Sequence, residues 1–187
     1  MKKTIRLFFA ASYFLVFFPQ MPLLHAQMSS RSENAAIVST NKKALEEKEN
    51  KLKKAISLNS KDPVPYIQLA LFYRSLHRSE DARTVYLQIL AFDGENAEPY
   101  YGIGQLSYEE GKYLEALKLF NVAVQKYLEQ NSSLVYDAFY YRGLCYYYLG
   151  DDKNALKNLQ YACAYYADNA EILSLIDSLS TKTGGAK

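Results

Sequence analysis

The sequence predicts an all-α chain built as a solenoid of stacked helix-turn-helix units, and three observations predict it. The first is a repeat: Pro65 recurs as Pro99, Tyr66 as Tyr100, Leu69 as Ile103, Ala70 as Gly104, Ala82 as Ala116 and Tyr86 as Phe120, each pair 34 residues apart. The second is the kind of residue that recurs. Two helices that cross closely need small side chains where their backbones approach, and rings fill the wedge where they splay. The third is the turn chemistry between the helical stretches: Ser60-Lys61-Asp62-Pro63, Asp93-Gly94, Glu110-Gly111-Lys112 and Gly150. One such hairpin cannot bury its own apolar face, so neighbours must stack on it.

At the N-terminus, Lys2, Lys3 and Arg6 precede a mostly apolar run from Leu7 to Phe18, then Pro19, Pro22 and Leu24-His25-Ala26. A basic start, an apolar run of about 7–15 residues and a small residue at the cut describe a secretory signal peptide. It is expected over residues 1–26, with cleavage after Ala26, which gives a periplasmic or secreted protein. The rival reading is an N-terminal membrane anchor, but a spanning helix needs roughly 17–25 apolar residues, and Pro19, Gln20 and Pro22 interrupt any extension of this run. Anchoring by a lipidated cysteine at the cleavage point is excluded, because the only cysteines are Cys145 and Cys163. Residues 1–26 hold three basic residues and no acid, so removing them leaves 19 of the 22 basic residues against 20 acidic ones, a net charge of −1. A near-neutral chain offers no general electrostatic footprint for nucleic acid.

Residues 27–34 are polar and are expected as a flexible lead. An N-terminal cap helix is expected over 35–60, with a sparse stripe of Leu45, Leu52, Ala55 and Ile56 among charged positions. Those charges read as a solvated face with ion pairs four residues apart. Leu52 and Ala55 stand one period behind Tyr86 and Ile89, so this helix reads as the second helix of a degenerate repeat, although Lys48 stands where the array wants an alanine. Full repeats are expected at 63–96, 97–130 and 136–169. The period slips between the last two: Ala116 to Ala155 is 39 residues, so five residues are inserted, within Leu128 to Leu134. A C-terminal cap helix is expected over 170–180, carrying Ile172, Leu173, Leu175, Ile176 and Leu179, and a disordered tail over 181–187.

The residues at these spacings carry a resemblance. The first repeat reads Tyr66, Leu69, Ala70, Tyr73, Ala82 and Tyr86, and the second reads Tyr100, Ile103, Gly104, Ala116, Phe120 and Ala123. The third reads Phe139, Gly143, Tyr146, Ala155, Leu159 and Ala162, with Arg142 where an aliphatic residue is usual. In this the chain resembles the tetratricopeptide repeat family over about residues 63–180. The resemblance implies a right-handed α-solenoid whose first helices line a concave, peptide-holding groove. Mapped onto this chain, that face comprises Ile67, Leu71 and Arg74, then Tyr101, Gln105 and Tyr108, then Tyr140, Leu144, Tyr147 and Tyr148. Five tyrosines on one face suit an interface, since the ring buries a large area and keeps a polar tip. They equally suit packing against the leading helix folded into the groove. The clustered Lys and Arg with which some members clamp a terminal carboxylate are not on this face.

Little in the chain suggests chemistry. His77 is the sole histidine outside residues 1–26 and sits in a turn, with no second histidine or cysteine near it in sequence, so no metal site is expected. No phosphate loop, nucleophile elbow or His-Glu-x-x-His occurs, so no cofactor, small-molecule substrate or enzymatic activity is expected. Cys145 and Cys163 fall on the two helices of the third repeat, either as buried thiols or as a staple across the hairpin. The expected function is a non-enzymatic adaptor or scaffold in the periplasm or cell envelope, holding a protein or peptide on the tyrosine-rich face. The alternative is a self-associating subunit of a membrane complex.

Overall fold

A computed structural model describes residues 21–184, with side chains from residue 38 onward, and the chain divides into two compact units at Asn50/Lys51. The described residues form eight helices and no strand. They are α1 (Met21–Leu58), α2 (Pro63–Ser75), α3 (Ser79–Phe92), α4 (Ala97–Glu109), α5 (Tyr113–Glu129), α6 (Val135–Tyr148), α7 (Asp152–Cys163) and α8 (Ala170–Gly184). The fold is an all-α solenoid. From α2 onward each helix packs on the one before it and the one after it.

Most of the signal peptide expected over residues 1–26 lies outside the described residues. Residues 27–34, expected as a flexible lead, are helical and belong to α1. No proline or glycine occurs between Leu23 and Pro63 to stop a helix once it has nucleated, and extending a helix costs little compared with starting one. In the first unit, α1 carries the ion pairs Lys42–Glu46 and Lys43–Glu47, both on exposed side chains. In the second unit, Leu52 and Ile56 pack against the core of the first repeat. Among the described residues no helix is long and apolar enough to cross a membrane.

The helix starts follow from capping. Asp62 accepts from the Val64 N–H at 3.0 Å with Pro63 at the first position of α2, Asn96 accepts from Glu98 at 3.1 Å, and Asp151 accepts from Asn154 at 3.1 Å. Each satisfies a donor that the helix itself leaves open. The first helix of every repeat stops the same way. His77 (φ +56°), Gly111 (φ +74°) and Gly150 (φ +81°) occupy the same place in successive repeats, all left-handed. In each, two backbone N–H groups fold back onto the last turn: His77 to Arg74 and Arg78 to Tyr73, Gly111 to Tyr108 and Lys112 to Ser107, Gly150 to Tyr147 and Asp151 to Tyr146. Asn131 (φ +50°) closes α5 with the same pair of bonds.

The core is built from the repeated small and aromatic residues. Ala70, Ala82, Ala116, Phe120, Ala155 and Leu159 are fully buried. A side chain on Gly104 would stand 2.9 Å from the Phe120 ring, and one on Gly102 would stand 2.3 Å from the Tyr86 ring. The first approach is within a repeat, the second between repeats. The seam between the first two repeats is also bordered by ions. Arg74 pairs with Glu109 at 2.7 Å, Arg83 with Glu110 at 2.9 Å and Glu115 at 3.6 Å, and Lys126 with Glu95 at 2.8 Å. The seam between the second and third repeats is made of rings: Tyr101, Tyr108 and Phe120 all meet Tyr141, and no ion pair crosses it among the described residues.

The last helix runs past the expected limit of residue 180, so residues 181–184 are helical rather than disordered; 185–187 lie outside the described residues. Hydroxyls extend it. Ser180, Thr181 and Thr183 donate to the carbonyls of Ile176, Asp177 and Leu179, and Lys182 reaches across to Asp152 on α7. Cys145 is buried and Cys163 half-buried, both as free thiols. Burial pushes the Cys145 thiol up to about 12, so it is an inert packing group.

Candidate interaction face

The face expected to hold a partner divides into a locked floor and open ends. Its first part is a hydrogen-bond chain across two repeats. Arg74 on α2 donates to the Gln105 carbonyl oxygen at 2.5 Å, and the Gln105 amide donates to the Tyr101 hydroxyl at 2.9 Å. Gln105 is itself buried. Its amide therefore needs partners on both sides, and it fixes the rotamers of Arg74 and Tyr101.

The second part is a chain of ring contacts. Tyr101 meets Tyr141 with centroids 5.9 Å apart, Tyr108 meets Tyr141 at 5.5 Å, and Tyr140 meets Tyr141 at 5.4 Å. Tyr148 continues it, 6.0 Å from Tyr108 and stacked on Tyr113 at 4.5 Å, and Tyr147 meets Tyr148 at 5.4 Å. Most pairs are tilted or edge-on, the arrangement ring quadrupoles favour. The structure thus brings Arg74, Gln105, Tyr101, Tyr108, Tyr140, Tyr147 and Tyr148 into one connected strip. Ile67 instead packs half-buried on the core of the first repeat, and Leu144 packs with Leu159 and Leu179.

Two members of the strip, Tyr141 and Tyr113, were not among the residues the sequence singled out. Tyr141 stands 39 residues after Gly102, the position that Tyr86 covers one repeat earlier. A ring at the place of a glycine was the available signal. Arg142, which stands where an aliphatic residue is usual, donates from its Nε to Asn158 at 2.6 Å and from its Nη1 to Asn121 at 3.3 Å, and it does not meet the nearby Asp137. Asp137 instead accepts from the Tyr166 hydroxyl.

Burial dominates the electrostatics. It raises the Tyr101 hydroxyl well above its ordinary range, helped by the charge of Asp137, and it raises Tyr108, helped by the Tyr148 hydroxyl. Burial also raises Tyr140. The Tyr127 hydroxyl is buried without a hydrogen bond of ordinary geometry, and burial, then the Glu98 charge, push it up as well. These phenols therefore keep their protons. Apolar side chains are left open at both ends of the face: Leu71 on α2 is 48% exposed, and Tyr147 and Tyr148 on α6 are 41% and 53% exposed. No group of three metal-ligating side chains occurs among the described residues. The arrangement can bury apolar side chains of another molecule and offer tyrosine hydroxyls and Arg74 for hydrogen bonds.

No protein-family model matches the sequence, and no curated protein matches it. Solved structures do. The chain is similar to YrrB, described as a TPR protein with an unusual peptide-binding site, at 28% identity and a TM-score of 0.65. That match covers 71% of this chain and 66% of YrrB. It is similar to MamA from Desulfovibrio magneticus RS-1, at 18% identity and a TM-score of 0.62, over 81% of this chain and 83% of that one. It is also similar to the first TPR of Spaghetti, solved bound to an HSP90 peptide, at 16% identity and a TM-score of 0.58, over 68% of this chain and 97% of that one. The last two likenesses speak for the fold alone. With the 34-residue spacing, the left-handed turn shared by the three hairpins and the small residues under the rings, the likenesses show that the chain has the fold of tetratricopeptide-repeat proteins.

Proposed function

We propose that the chain is a non-enzymatic interaction module of the periplasm or cell envelope, which holds a protein or peptide partner on the strip from Leu71 and Arg74 to Tyr148. One observation carries the reading: the strip combines a floor fixed by hydrogen bonds and ring contacts with apolar side chains left open at both ends, Leu71 at one and Tyr147 and Tyr148 at the other. A face already rigid before binding loses little side-chain freedom when a partner arrives. The peptide-binding site named for YrrB and the HSP90 peptide held by Spaghetti support a protein or peptide as the partner. The basic start and apolar run at residues 2–18 support export to the envelope.

The test is affinity capture from an envelope extract, comparing the wild type with Leu71→Ala/Tyr147→Ala. Both residues belong to the open ends, whereas Tyr101 packs on Phe120, Tyr127 and Tyr141, so its loss would damage the fold as well as the face. A partner retained by the wild type and lost by a variant of unchanged helical circular dichroism is the expected result. Equal retention by both proteins would overturn this assignment of the face.

A further inference from the structure

A cleft of about 600 Å³ lies between α5, α6 and α7, where the repeat period slips. Val124, Leu128, Phe139 and Tyr161 line its apolar part, and Asn121 and Arg142 its polar end. The second repeat's α5 is 17 residues long where α3 has 14, so Leu128 sits on the added last turn. Leu128 is 54% exposed and Tyr161 47%, so the cleft opens to solvent between them. It shares no residue with the strip described above.

Register makes the polar end unusual. Arg142 stands where the earlier repeats carry Ile103 and Leu69, both buried. Asn158 stands where they carry Leu119 and Val85. An aliphatic pair at the core of two repeats has therefore become a charged and a polar residue in the third. The pair is held in place: Asn158 is buried, donates to the Asn154 carbonyl at 2.7 Å and so turns its own carbonyl to the Arg142 Nε. The guanidinium also lies 4.9 Å from the centroid of the Phe139 ring. Its protein partners, Asn158, Asn121 and Phe139, are all neutral, and no carboxylate among the described residues pairs with it. Burial lowers its basicity. A desolvated cation without an anion disfavours the folded chain, and an incoming anion relieves that cost. Local departures from a repeat's own rule concentrate where function requires them.

We propose that this cleft is a second recognition site, which takes a segment of a partner protein carrying Asp or Glu beside aliphatic or aromatic side chains. The carboxylate meets Arg142, and the apolar side chains fill the space between Leu128 and Tyr161. A free inorganic anion would leave the apolar majority of the cleft empty. A polypeptide presents both chemistries side by side, which is what the open, mostly apolar shape with one charge at its end complements.

The test pans the full chain against a displayed library of random peptides and titrates the selected peptides by fluorescence anisotropy. Three variants are compared with the wild type. Arg142→Ile/Asn158→Leu installs the pair that the second repeat carries, Leu128→Glu places a carboxylate on the exposed rim, and Tyr147→Ala alters the other face. The selected peptides are expected to be enriched in Asp or Glu next to apolar residues. The first two variants should weaken them about tenfold or more, the scale of one lost hydrogen bond to a charged group, while Tyr147→Ala leaves them unaffected. Leu128→Glu changes only an exposed position, so the comparison stands even if the double variant folds poorly. An empty selection, peptides without acidic enrichment, or peptides weakened by Tyr147→Ala alone would overturn the site, the last while supporting the interaction face.

Discussion

Phe120 shows what a residue's place in the repeat decides. It is fully buried, its ring lies against Gly104, and it is stacked at 5.6 Å on Tyr141 of the next repeat. One side chain thus closes both its own hairpin and the seam beyond it. Phe120→Ala is expected to cost about 3–5 kcal/mol, the usual range for deleting a core aromatic, read as a fall in the urea midpoint. An unchanged midpoint would show that the ring is not core. The sequence marked Phe120 because it recurs from Tyr86. It left Tyr141 unmarked because that residue follows no recurrence: its counterpart in the second repeat is a glycine, and a period search finds likeness, not replacement. For the same reason Arg142 stood out as a departure, yet its partners Asn121 and Asn158 come from neighbouring helices and no local pattern joins them.

At the scale of the element, the turn after each first helix carries a prediction of its own. Gly111 has φ +74° and an added Cβ would meet nothing, so a side chain there is opposed by backbone strain alone. Gly111→Ala is expected to cost about 1–2 kcal/mol. His77 already bears such strain at φ +56°. His77→Gly relieves it while adding freedom to the unfolded chain, so a gain of at most about 1 kcal/mol is expected. Thermal unfolding of the two variants should therefore move in opposite directions, and a similar loss in both would refute the shared-turn reading. The hairpins were legible because capping residues, glycines and the 34-residue spacing are local signals. The limits of α1 and α8 were not. The extent of α1 depends on propagation from residues that carry no stop, and that of α8 on three hydroxyl bonds and a lysine that finds its acid on another helix.

For the whole molecule, the tyrosines set the alkaline limit. Burial pushes the Tyr86 hydroxyl up to about 12 and does the same for Tyr166, and it raises Tyr101, Tyr108 and Tyr127 further. In the unfolded chain a tyrosine loses its proton near pH 10. Above that value the unfolded state has released protons that the folded state still holds, so stability falls as pH rises. Below it these groups are protonated in both states and contribute no pH dependence. In a titration followed by phenolate absorbance and circular dichroism together, these five phenolates are expected to appear only as the helical signal is lost. Complete phenolate formation with the helical signal intact would refute the burial that underlies this.

The two seams of the array have a further consequence. One is edged by Arg74, Arg83 and Lys126 with their carboxylates, the other is filled by Tyr101, Tyr108, Phe120 and Tyr141. Dissolved ions screen the first and strengthen burial at the second when they are of the excluded kind. The joints between these repeats therefore differ in kind, and the weaker of them is chosen by the surrounding medium. A partner laid across both would grip a body whose stiffness is graded along its length, yielding at one joint in brine and at the other in dilute buffer.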